Sequence, residues 1–109
     1  MLEKQQVWGK SHRLTLKVYE ITATFPREEL YRLTSQIRRA CTSLPTNIAE
    51  GCGRETDLDF ARFLQIAMGS ASAVEHLFML ANSLDFIENI QYNELNDEIV
   101  EIKKCSHFS

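Results

Sequence analysis

From Phe60 to Ala81 the chain places an apolar or small residue at every third or fourth position without a break: Phe60, Leu64, Ala67, Ala71, Val74, Phe78, Ala81. Alternating steps of four and three are the heptad seam of a helix that lies nearly parallel to its neighbours. A second seam, Phe63, Ile66, Ser70, Ala73, Leu77, Leu80 and Leu84, runs beside the first. Together they make a stripe wider than one neighbouring helix covers. A chain holding such a helix has to bury it in a helical bundle. Within the seam, Gly69-Ser70-Ala71-Ser72-Ala73 is a run of small residues. Gly69 costs about 1 kcal/mol relative to alanine in a helix interior, so a close approach of another backbone should compensate. That backbone belongs either to the same bundle or to a second subunit. The candidate subunit interface is Phe63, Ile66, Gly69, Ser70, Ala73 and Leu77.

The rest of the chain supplies partners for this helix. Leu14, Val18, Ile21 and Phe25 form one apolar stripe, with Lys10, Arg13, Lys17 and Glu20 on the other side. Pro26 closes that helix and suits the first turn of the next, where Glu28 and Glu29 favour the helix dipole. Leu30, Leu33, Ile37, Cys41, Leu44 and Ile48 predict a second helix. Pro45 interrupts it, but the apolar period continues past the proline, so a bend at Ser43–Leu44–Pro45 is expected and not an end. Gly51 and Gly53 are expected to stop it with a left-handed cap. Thr56 and Asp59 resemble a capping box ahead of the long helix. After a turn at Asp85–Asn89, Tyr92, Leu95, Ile99 and Ile102 predict a last helix near Tyr92–Lys104. Four helical segments with short connections and no strand pattern imply one all-α domain over residues 1–109, an antiparallel up-down four-helix bundle.

Composition narrows the function classes. The chain of 109 residues is 44% hydrophobic and 25% charged, which is too apolar for disorder. The net charge of −3 does not advertise a nucleic-acid binder. Its distribution is uneven: residues 1–62 carry ten Lys and Arg against eight Asp and Glu, and residues 63–109 carry two against seven. The first half can therefore present a basic face. Cys41, Cys52 and Cys105 are odd in number and lack a CxxC pair, which predicts reduced thiols. The start lacks the apolar core of a signal peptide, and no apolar run is expected to reach the roughly 18 residues of a membrane span. A cytoplasmic location is expected.

No catalytic constellation holds together. His12, His76 and His107 are scattered, without HExxH or a Cys/His ligand spacing. Gly51-Cys52-Gly53-Arg54 is too short for a phosphate loop. No enzyme, metal or cofactor is expected. The residues that attract attention are Arg32, Arg38, Arg39, Arg54 and Arg62, gathered around the second helix and the glycine turn. They either pair with carboxylates such as Glu50, Glu55 and Asp59 or bind phosphate, whose oxygens match the guanidinium fork. Gln36, Asn47 and Glu50 recur on the same helix and can complete either network. Aromatic interleaving of the kind that stacks single-stranded bases is weak.

Three blocks carry a resemblance: Phe25-Pro26-Arg27-Glu28-Glu29-Leu30-Tyr31-Arg32-Leu33 through Gln36-Ile37-Arg38-Arg39-Ala40, Ser43-Leu44-Pro45-Thr46-Asn47-Ile48-Ala49-Glu50-Gly51-Cys52-Gly53-Arg54, and Phe60-Ala61-Arg62-Phe63-Leu64-Gln65-Ile66-Ala67-Met68-Gly69-Ser70. In this order and spacing the chain resembles the four helix bundle protein family, also called 23S rRNA intervening-sequence proteins, over nearly its whole length. The resemblance implies a four-helix up-down bundle and a homo-oligomer, most often a ring of five, encoded in insertions of bacterial 23S rRNA genes or elsewhere in bacterial genomes. The family's biochemical role is poorly defined, and two functional readings follow from the residues beside it. One is a non-enzymatic oligomer that holds structured RNA such as 23S rRNA through its arginines. The other is a protein-interaction scaffold without direct RNA binding, its partner a protein such as a reverse transcriptase; a related pentameric bundle, the accessory protein of diversity-generating retroelements, binds reverse transcriptase and nucleic acid. Two positions depart from the family pattern, which usually has Glu where this chain has Ala73 and Gln where it has Leu77. The chain also stops soon after Lys104, which predicts a short last helix.

Overall fold

A computed structural model of the chain describes residues 3–106. It contains four α-helices, α1 (Lys4–Thr22), α2 (Ser35–Cys52), α3 (Asp57–Ser83) and α4 (Asn89–Ser106), and no strand among the described residues. The helix α2 packs on α1 and α3, and α4 packs on α3 and α1, so the four close around one core. All seven residues of the first α3 seam are buried. Against them lie Leu14 and Val18 of α1, Ile37, Leu44 and Ile48 of α2, and Leu95, Ile99 and Ile102 of α4. Fully burying one such side chain contributes about 1.5–3 kcal/mol.

The four helices start and stop for local reasons. The Gln6 side chain accepts a hydrogen bond from the Glu3 N–H at 2.8 Å, which holds the start of α1. Thr56 caps α3 by accepting from the Asp59 N–H at 3.1 Å, as its spacing predicted. The end of α3 is a Schellman turn: the Asp85 N–H bonds the Asn82 carbonyl and the Phe86 N–H bonds the Ala81 carbonyl. Asp85 takes the left-handed conformation that closes it, at φ 64°. Aspartate tolerates this region better than most side chains. Phe86 then packs its ring on Phe25, 5.4 Å between centroids, which ties this turn to the chain after α1.

The structure departs from the sequence reading at several points. Regular helix does not begin at Pro26. A 3₁₀ turn (Arg27–Glu29) and a wide π turn (Leu30–Thr34) come first, with Arg32 at φ −117°, ψ −108°. The wide turn shifts the phase of the apolar stripe, so Leu33 and Thr34 both point inward while Leu30 is exposed. The glycine stop works differently too: α2 runs through Gly51 and ends on Gly53, whose φ of −81° is right-handed. Gly51 is needed instead for space, because a Cβ there would lie 3.0 Å from Phe63 Cβ and 3.1 Å from Phe60 Cδ1 on α3. The last helix is longer than expected, 18 residues, matching α2. And α3 does reach the length and apolarity of a membrane-crossing helix, the one such helix among the described residues. One of its faces is spent in the bundle core.

Pro45 is buried within α2, which continues past it. Lacking an N–H, Pro45 cannot bond the carbonyl four residues earlier, on Cys41. That carbonyl faces α1, where the Thr15 hydroxyl donates chiefly to the Ser11 carbonyl at 2.8 Å and shares the same proton with the Cys41 carbonyl at 3.3 Å. The Cys41 thiol is 3.6 Å from the same hydroxyl. Burial pushes this thiol up to about 11, only partly offset by the Thr15 hydrogen bond, so Cys41 is a protonated core residue. Leaving a buried carbonyl unserved costs about 1–3 kcal/mol. Thr15→Val should therefore lower stability by about that much, and by less in a Pro45→Ala background, where a restored N–H serves Cys41. Urea unfolding of the four variants measures the coupling; an equal loss in both backgrounds would mean that Thr15 serves something else.

Candidate functional site

The five arginines divide into two groups. Arg54 at the end of α2 pairs with Glu50 at 3.1 Å and lies over the Phe63 ring at 4.7 Å. Arg62 lies 3.8 Å from Asp59. Both are exposed pairs that already hold a carboxylate, as the structural alternative expected for Glu50 and Asp59. Arg38 and Arg39 differ: neither has a carboxylate partner among the described residues. Arg38 is half-buried between α1 and α2. Its Nε donates to the Thr22 hydroxyl at 2.9 Å, and Thr22 in turn donates to the Val18 carbonyl at 2.7 Å. Its guanidinium sits 4.6 Å from the Tyr19 ring centroid. A cation here also suits the negative end of the α1 dipole. Arg39 is exposed, and so is Arg32 in the π turn; neither has a partner among the described residues.

Arg38 and Arg39 border one open groove of about 640 Å³ on the outer side of α2. Tyr19 of α1 and Leu30 and Tyr31 of the π turn form the rest of its cationic end, and Ser35, Thr42, Ser43, Thr46 and Asn47 line the remainder. No carboxylate lines it. Because the π turn rotates residues 30–31 outward, Tyr31 stands 91% exposed at the rim. The hydroxyls and amide along α2 are oriented by the helix itself. Thr42 donates to the Arg38 carbonyl at 2.7 Å, Thr46 to the Thr42 carbonyl at 2.8 Å, and Asn47 to the Ser43 carbonyl at 2.9 Å. With their protons so engaged, these side chains offer lone pairs to the groove. Guanidinium groups and oriented acceptors in one groove are the chemistry that an anionic ligand carrying N–H donors would match.

The candidate interface residues of α3 lie on a different face. Ile66, Gly69 and Ala73 are exposed, together with Leu80 and Leu84. Phe63 and Ser70 are half-buried, Ser70 sharing a 2.8 Å hydrogen bond with Ser43 of α2, and Leu77 is buried. A Cβ on Gly69 would meet nothing within 4 Å. Close packing inside the bundle therefore does not account for this glycine. From Phe63 to Leu84 the only formal charge on α3 is Glu75, which Lys103 of α4 holds at 2.6 Å.

The other sequence candidates are not gathered into a site. His12 is exposed and stacks on Trp8 with centroids 4.9 Å apart, His76 is exposed, and His107 lies outside the described residues. Among the described residues no group of His, Cys, Asp and Glu is placed to hold a metal ion. Cys41 is buried, Cys52 exposed and Cys105 half-buried, and all three are free thiols. The aromatic component of the groove was missed because Tyr19 and Tyr31 come from separate elements and converge only in three dimensions.

Fold and groove define a small four-helix domain with a basic, carboxylate-free groove along α2. The family model for the 23S rRNA-intervening sequence protein matches residues 3–107, and the chain belongs to that family. Among solved structures it is similar to a protein of unknown function from the S23 ribosomal protein family of Bacteroides thetaiotaomicron. The two share 25% identity over 96% of this chain and 95% of that one, with a TM-score of 0.88. No curated protein matches.

The two groove arginines differ in what they do for the fold. Arg38→Ala should destabilise by about 1–3 kcal/mol, through its hydrogen bonds and its ring contact. Arg39→Ala should change stability by less than about 0.5 kcal/mol. Thermal unfolding of both variants checks this, and a large loss for Arg39→Ala would make that residue structural as well.

Proposed function

We infer that this chain is a non-enzymatic, homo-oligomeric helical bundle that binds structured RNA, such as 23S rRNA, through the arginine-bearing face of α2. The observation that carries this reading is the groove that holds Arg38 and Arg39 and no carboxylate. In a chain of net charge −3, such a surface concentrates the attraction for phosphate. The name of the family, 23S rRNA-intervening sequence protein, is a further support for this reading. Of the five arginines, Arg39 and Arg32 are available to phosphate, Arg38 is half-committed to α1, and Arg54 and Arg62 are partly neutralised. The reading needs no catalytic group, metal or cofactor, and it assigns the protein to the cytoplasm.

Up-down, antiparallel helix order belongs to this reading. Its support is that the partner recedes along α4 as α1 advances, from Lys10–Glu101 at 2.7 Å to Lys17–Glu98 at 3.0 Å. Self-association rests on the uncharged exposed face of α3 and the open space over Gly69, and the family resemblance favours five copies. The same α3 face supports a second reading, a protein-interaction scaffold that binds no RNA; there the exposed apolar residues Ile66, Leu80 and Leu84 take a different protein.

Titration with a 23S rRNA insertion fragment across salt separates the two readings. Binding should weaken steeply with salt through counterion release, and Arg39→Ala should reduce the salt slope by about 1. Absence of binding at low salt would leave the scaffold. For the assembly, Ala73→Arg is the informative variant, since Ala73 is exposed while Ala71 is buried and intolerant of size. It should keep its helical circular dichroism and fall to monomer mass by light scattering. An unchanged mass would move the interface away from α3.

A further inference from the structure

The groove beside Arg38 does not end at Thr46. A second open groove of about 510 Å³, walled by Trp8, His12 and Leu16, shares Tyr19, Thr42 and Thr46 with the first. The two share these residues and form one track that runs from the outer side of α2 onto its junction with α1, and no carboxylate lines either part. Three aromatic side chains punctuate it: Tyr31 at one end, Tyr19 in the middle and Trp8 at the other. Tyr19 and Trp8 are eleven residues apart on α1, a rise of about 16 Å. That is the span of a few nucleotides of extended strand. A duplex presents its bases stacked on each other and closed to such side chains, whereas an unpaired strand can lay base faces on them.

We propose that this track receives unpaired nucleotides, with backbone phosphate at Arg39 and Arg38 and bases against Tyr31, Tyr19 and Trp8. The proposal rests on the RNA reading above and adds which part of an RNA is held: single-stranded loops or ends, not helices. The charge is complementary, since two arginines and no carboxylate face a polyanion. The oriented lone pairs of Thr42 and Thr46 suit the amino and imino hydrogens of bases, which duplex pairing would hide. Tyr31 is the sharpest element, because a ring left 91% exposed contributes little to the core and is free to stack.

The test uses the full chain with fluorescent oligouridine of about eight nucleotides and with a blunt RNA duplex of the same length, in low salt. Single-strand binding should exceed duplex binding. Tyr31→Ala should weaken the single-strand complex about tenfold, Tyr31→Trp should retain it, and neither should alter duplex affinity. Equal binding of both probes, or a single-strand affinity unmoved by Tyr31→Ala, overturns the proposal. If Arg39→Ala still weakens both probes in that case, the RNA reading survives without it. No binding of either probe, together with none of the insertion fragment, removes both.

Discussion

A helix that contains a proline leaves one carbonyl that its own backbone cannot serve, and in this protein that carbonyl, on Cys41, is turned toward α1. The contact between α1 and α2 is built around this deficit. Ser11, Thr15 and Thr22 are buried along α1, where apolar residues would otherwise be expected, and each finds an acceptor. Thr15 reaches the Cys41 carbonyl, and Thr22 receives Arg38. Among the described residues no buried side-chain nitrogen or oxygen lacks a partner. A polar seam of this kind is less forgiving than an apolar one, since each broken link strands a buried group. It sets how α1 lies against α2, and with it the shape of the track between Trp8, Tyr19 and Tyr31.

The opposite side of α2 is held by different means. There the close approach to α3 depends on the absence of side chain at Gly51, with Ser43 and Ser70 hydrogen-bonded across the contact. One helix thus presents a polar seam to α1, a small-residue seam to α3, and an outer face that carries arginines, hydroxyls and no acid until Glu50. Function in this reading belongs to the outer face, and the two seams hold it in place.

Much of this was legible in the sequence. The first α3 seam is buried residue for residue, because a heptad pattern over so many turns admits one arrangement. Helix α2 continued through Pro45 because the period on its far side outweighed the local cost. Other features were not legible. Leu30 carried the correct spacing for the core, yet the π turn rotated it outward; that turn depends on how the chain is threaded between α1 and α2. The left-handed residue proved to be Asp85 and not a glycine, since the Schellman turn tolerates aspartate. The structural role of Arg38 depends on Thr22 and Tyr19, sixteen and nineteen residues earlier, and no local pattern announces it. Likewise the tyrosines of the groove are distant in sequence, so their convergence with Arg38 and Arg39 had no one-dimensional signal. Gly69 was read as a site of close approach within the bundle or between subunits, and the open space above it removes the first of these.

The central claim is that RNA lies along the α1–α2 track. Photocrosslinking tests it most directly: a 23S rRNA insertion fragment carrying 4-thiouridine is irradiated with the assembled protein, and the crosslinked peptides are mapped by mass spectrometry. Crosslinks concentrated on the peptides bearing Trp8, Tyr19 and Tyr31, and suppressed by excess unlabelled fragment, are the predicted result. Crosslinks on α4 or around Arg54 and Arg62, with the track unlabelled, would contradict it.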